Sequence, residues 1–178
     1  MKRLFCAVCC LSLASLPALA AQHKASAKMS AKAPMTDQQF VDFAGQTDMV
    51  EANLGQLAQS VAKSQAVQGY GKMLDTDHTN DYNQLQRAAK EADLTVPTAI
   101  DAQNNKSTIG PMHKLKGAAF DHRYIAAMIA GHTKAIALFK KEGQDATSPA
   151  IESYAQLAIP VLQKHLDGAQ KLAKSKGR

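Results

Sequence analysis

Tryptophan is absent from this 178-residue chain, aromatic residues make up only 5% of it, and the only cysteines are Cys6, Cys9 and Cys10. No segment alternates apolar and polar residues with period two, so the pattern gives no support to β-structure. The longest apolar stretch, Leu4 to Leu16, falls short of the ~20 residues of a permanent membrane span. The hydrolase motifs G-x-S-x-G and H-E-x-x-H are missing. Gly69-Tyr70-Gly71-Lys72 lacks the spacing of a phosphate loop and lies within a helical pattern. An enzyme acting on a small organic substrate would therefore have no identifiable nucleophile or cofactor loop.

At the N-terminus, a basic Met1-Lys2-Arg3 precedes the apolar stretch, and Ala18-Leu19-Ala20 gives a small-x-small cleavage pattern before Ala21. Residues 1–20 read as a cleaved export signal, so the expected location is periplasmic or secreted. All three cysteines lie inside it, which excludes disulfides, thiolate catalysis and Cys-bound zinc from a mature chain starting at Ala21. Cys9 follows Val8 and Cys10 follows Cys9, a context that disfavours lipid attachment. Residues 21–35, rich in Ala, Ser and Lys and closed by Pro34, have too little apolar surface to fold and are expected to form a tether.

The formal charge of +6 belongs to the ends of the chain. Setting aside the nine basic residues of the signal, tether and C-terminal tail leaves 12 of the 21 Lys+Arg against all 15 Asp+Glu. A slightly acidic body is a poor partner for nucleic acid, while the basic tails suit at most a weak contact with an anionic envelope surface. The pattern leaves the oligomeric state open.

Four long helical patterns fill residues 36–175. Thr36-x-x-Gln39 has the form of a capping box opening a first helix over 37–63. Ser64 is the expected cap of a second, carrying Val67, Tyr70, Leu74 and Leu85 to the Asp93–Pro97 turn. About 25 residues then intervene, with a short helical candidate near 98–106. The third helix is expected over 118–142 with Gly143 as its C-terminal cap. Ser148-Pro149 opens the fourth, on which Ile151, Tyr154, Ala158, Val161 and Leu162 form the apolar stripe and Pro160 removes a backbone donor. The expected fold is all-α: a ferritin-like four-helix bundle with a long crossover between the second and third helices.

Polar residues interrupt the apolar stripes at matching depths. Positions eleven apart on a helix differ by about 20° and share a face. Phe40 and Glu51, Val67 and His78, Asp121 and His132, and Tyr154 and His165 are such pairs. Glu51, His78, His132 and His165 also fall near the middle of their respective helices, so the four are expected in one layer. A buried carboxylate needs a protonated imidazole, a hydrogen-bond network or a metal ion. One carboxylate and three neutral imidazoles suit a single Fe, Zn, Cu or Mn ion. Asp75, Asp81 and Asp121 are secondary candidates as extra ligands or orienting groups, and Met128, one turn before His132, is a soft donor for copper. The competing reading is a metal-free polar layer that fixes helix register in a non-enzymatic envelope protein. His23, His113 and His122 read as ordinary surface or satisfied residues.

The chain also carries Glu51 with Leu54-Gly55-x-Leu57-Ala58, Met73-Leu74-x-x-Asp77-His78-Thr79, Gly117-Ala118-Ala119-Phe120-Asp121-x-x-Tyr124, Met128-x-x-x-His132, Ala137-Leu138-Phe139, and Pro160 with His165. In these it resembles the bacterial ferritin-like proteins gathered as domain of unknown function 4142, often labelled exported or outer-membrane proteins. The resemblance spans about residues 36–172 and implies a secreted four-helix bundle without an established general activity. Ferritin-like folds often hold two metals through a Glu on each of two helices and Glu-x-x-His on the other two. This chain departs from that pattern with Asp75-x-x-His78, Leu162-x-x-His165 and His132, and it has Gly131 where the family commonly places an acid. The departure favours one metal, or none, over a di-iron centre.

Overall fold

The computed structural model describes residues 35–175. The export signal and tether expected over 1–35 lie outside them, except for Met35, which packs against the core. The described chain is all-α as expected: α1 (Asp37–Val61), α2 (Gln65–Glu91), α3 (Gly117–Asp145) and α4 (Pro149–Ser175) carry it, with an irregular helical run over 102–113 between α2 and α3. None of these helices is long and apolar enough to cross a membrane.

Local chemistry accounts for most of the helix ends. Thr36 Oγ1 accepts from the Gln39 amide at 3.2 Å while Gln39 Oε1 accepts from the Thr36 amide at 3.0 Å, so the capping box forms as read. Ser64 occupies the cap position of α2, but its side chain makes no capping bond. Asp121 on α3 instead holds the link before the helix, accepting from the Lys63 and Ser64 amides at 3.0 and 3.1 Å. Gly143 is not the C-cap of α3. It lies inside the helix, where an added Cβ would meet Gln156 Cγ at 2.9 Å, so its smallness admits α4 rather than ending α3. Val161 is 39% exposed and lies off the buried stripe of α4.

The short links at 62–64 and 146–148 make α1 and α2, and likewise α3 and α4, antiparallel hairpins. Each hairpin turn is held by a carboxylate from the other hairpin. Asp37, at the start of α1, accepts from the Thr147 and Ser148 amides and the Thr147 hydroxyl at 2.7–3.0 Å. Asp121 performs the matching task at the opposite end. The connection after α2 runs back along α1: Gln38 bonds Thr95, Gly45 packs on Pro97, and Gln46 bonds Ala99 and Asp101. This return places the start of α3 beside the end of α1, where Ala62 and Gly117 pair.

Two apolar clusters fill the interior, one around Phe40, Leu85, Phe139 and Tyr154, the other around Leu54, Leu74, Phe120 and Tyr124. Between Phe40 and Leu54 on α1 the buried face carries Asp48 and Glu51, so a polar layer separates the two clusters. The α1–α2 contact that fixes this layer is close at the backbone. A Cβ on Gly55 would lie 2.6 Å from the Gly71 carbonyl oxygen, and one on Gly71 would lie 2.6 Å from Ala58 Cβ. Gly55→Ala is expected to lower stability by about 1–3 kcal/mol. Gly69→Ala, which meets nothing within 4 Å, is expected to raise it by up to about 1 kcal/mol through helix propensity. Denaturant unfolding of the two variants checks both signs.

Candidate metal centre

At the middle of the polar layer each of the four helices contributes one residue: Glu51 from α1, His78 from α2, His132 from α3 and His165 from α4. All four are buried, with exposures of 5%, 2%, 1% and 1%. The ligand nitrogens of the three histidines lie within 4.8 Å of one another, so the triad is positioned to hold a metal ion. Glu51 Oε2 is 3.0 Å from His78 Nε2 and 3.2 Å from His132 Nε2, and His132 Nε2 is 3.2 Å from His165 Nδ1.

The outward nitrogens decide what these inner atoms are. His78 Nδ1 faces Asp48 Oδ1 at 2.8 Å, His132 Nδ1 faces the Met128 carbonyl at 2.9 Å, and His165 Nε2 faces Asp77 Oδ2 at 2.9 Å. An ionised carboxylate and a carbonyl only accept, so the nitrogens facing Met128 and Asp77, and the one facing Asp48 when it is ionised, carry the proton. In the neutral tautomers this leaves lone pairs on His78 Nε2 and His132 Nε2, both beside Glu51 Oε2, and on His165 Nδ1, which faces His132 Nε2. Three lone pairs and a carboxylate oxygen meet with no donor among them. Glu51 Oε2 and His78 Nε2 illustrate the result: both are buried and stand 3.0 Å apart, a contact that becomes a hydrogen bond only when His78 carries a second proton. Such atoms share a cation or gain a proton.

Charge regulation in the metal-free chain follows the same logic. Burial opposes charging of His78, but the Glu51 carboxylate, with Asp48 behind, overcomes it and lifts the imidazole to about 10. Burial raises Glu51, yet His132, His78 and His165 together bring it below its ordinary value. Burial and the neighbouring imidazoles hold His165 down at about 4 against the pull of Asp77. Asp48 is driven up to about 7 by burial, partly countered by His78. Without metal, the raised His78 and the lowered Glu51 form an ion pair within the layer.

Of the secondary candidates, Asp81 stands beside the centre, behind Asp48 and His78, and the others lie elsewhere. Asp121 binds the α1–α2 turn, eleven residues or about 16 Å of helix rise from His132. Asp75 accepts from Gln56 and Gln59 at 3.1 and 3.3 Å on the outer side of the α1–α2 contact. Asp81 receives the Tyr154 hydroxyl at 2.8 Å. Met128 offers the site its carbonyl through His132, and His113 and His122 are exposed. Asp48 and Asp77 orient two of the imidazoles. Asp48 lies one turn before Glu51 on the same stripe, a signal that points to it although the eleven-residue pairing leaves it out. Asp77 belongs to the motif shared with the resembled family, but its role is not visible in the sequence because its partner is across the interface on α4.

The pattern of one protein family matches residues 19–172. The chain belongs to domain of unknown function 4142. No curated protein and no solved structure matches it. The family's description assigns no activity, so the centre is the chemical feature from which function in this member of domain of unknown function 4142 is argued.

The linkage sign for the metal-free protein is definite. A His78 pKa raised from 6.5 to about 10 contributes stability that is complete below 6.5 and lost as pH rises through 10. The melting temperature of chelator-treated protein is expected to fall between pH 7 and 10, and to fall less in His78→Gln. Equal slopes in the two proteins would contradict this assignment.

Proposed function

We propose that this protein is an exported, ferritin-like four-helix bundle that holds one transition-metal ion through Glu51 Oε2, His78 Nε2, His132 Nε2 and His165 Nδ1. The observation that supports this reading is that every outward imidazole nitrogen faces an acceptor, which in the neutral tautomers leaves the inner atoms as unprotonated ligands for a metal. Oriented histidines of this kind are characteristic of metal sites, where a carboxylate or carbonyl fixes the tautomer and raises the basicity of the ligand. Three nitrogens and one oxygen suit Zn, Fe, Cu or Mn. With a single carboxylate among its four inner residues, the centre is mononuclear rather than the di-iron type of ferritin-like folds. Its chemistry is metal buffering or redox cycling in the cell envelope. The export part of the proposal rests on the signal-like residues 1–20.

The protonated His78 supports a second reading, in which a Glu51–His78 ion pair fixes helix register without metal. Elemental analysis and calorimetry separate the two. About one equivalent of metal is expected in wild type and little in His132→Ala. Asp77→Asn, which leaves all four inner atoms in place, is expected to weaken binding about 10- to 100-fold. A His165→Ala variant whose melting temperature differs from wild type equally with and without added metal would establish the metal-free layer instead.

A further inference from the structure

The centre is closed on most sides but open at one edge. A cavity of about 360 Å³ lies between α1 and α3 beneath the connection, with Glu51 at its floor and Asn104, Thr108, Gly131 and Lys134 among its lining. Oε2 of Glu51 is buried against the imidazoles, whereas Oε1 lies toward Gly131, where an added Cβ would stand 3.3 Å away. The glycine keeps free the space above this oxygen. Lys134, one turn further along α3, sits over the Phe43 ring at 5.6 Å and lines the same cavity. The cavity therefore brings together a cation, two small polar side chains and the free edge of the carboxylate.

Resting on the metal reading above, we propose that this cavity is a second-ligand site, which delivers a small anionic oxygen or nitrogen donor to the bound metal past Gly131 and Glu51 Oε1. Charge decides the class of ligand. A divalent ion neutralised by one carboxylate keeps a positive charge, and Lys134 adds another, so an anion is drawn in and a second cation is repelled. With four protein ligands the added donor either makes the centre five-coordinate, as zinc centres sometimes become, or displaces the Glu51 carboxylate whose edge it approaches. The volume is in the range of small-ligand pockets, with room for more than a single water. Neither Gly131 nor Lys134 offers an atom to the metal, so both can be changed without removing a ligand.

The test uses the full mature chain loaded with Co(II), whose visible spectrum reports coordination number, titrated with azide at low salt. Azide is expected to change the wild-type spectrum saturably. Lys134→Gln is expected to weaken that response by up to about fivefold, with Lys134→Arg restoring it. Gly131→Leu is expected to abolish it while Co(II) content stays near one equivalent. A Co(II)-loaded wild type that ignores azide overturns the second-ligand site and leaves the metal reading standing, as does an azide response unchanged in both Lys134→Gln and Gly131→Leu. A wild type that takes up no Co(II) overturns the metal reading and this inference with it.

Discussion

A carboxylate enclosed among three imidazoles whose outer nitrogens are already engaged by acceptors is the constraint around which this molecule is arranged. Glu51 is 5% exposed and is surrounded by nitrogens whose N–H groups point away from it. Leaving a negative charge in such a place costs several kcal/mol unless a positive one joins it. A proton on His78 supplies that charge in the metal-free chain, and a divalent ion bound to the same atoms would supply it more fully. Both solutions use one geometry, so the helices can be built once for either.

Holding that geometry requires all four helices at a fixed height. Two features set it. The glycine contact at Gly55 and Gly71 brings α1 and α2 to backbone distance, which limits sliding between them. Asp37 and Asp121 then bind the turn of the opposite hairpin, one at each end. A shift of one residue along either hairpin would rotate an imidazole by about 100° and withdraw its lone pair from the centre. The residue that helical spacing offered as a ligand candidate, Asp121, is thus a strut whose position determines where His132 stands.

Much of this was legible from periodicity because a helix repeats. The eleven-residue pairing with Phe40, Val67 and Tyr154 identified the inward faces, and each of these partners is buried in the structure. Depth along the helix brought Glu51 and the three histidines into one layer for the same reason. What spacing along one helix does not contain is the identity of neighbours across an interface. Asp77 is adjacent to His78 in sequence yet reaches His165 on α4. Ser64 has the right chemistry for a cap, but its side chain makes no capping bond and its own amide is taken by a buried carboxylate from a distant helix. Gly143 looked like a terminator because glycine often ends helices, but here close packing against Gln156 explains it.

The three outer acceptors are unequal, and the difference bears on the chemistry of the centre. Asp77 is partly exposed and paired with Lys164 at 3.3 Å as well as His165, which keeps its pKa low and its charge in place. Asp48 is 3% exposed and raised to about 7, so near neutrality it is divided between its charged and neutral forms. The Met128 carbonyl does not titrate. His165 is therefore the imidazole with a permanently charged outer partner, His132 has a neutral one, and His78 has a partner whose charge depends on pH. Since an anionic partner strengthens an imidazole as a ligand, the α2 corner is the adjustable one, and the α3 and α4 corners are fixed by the fold.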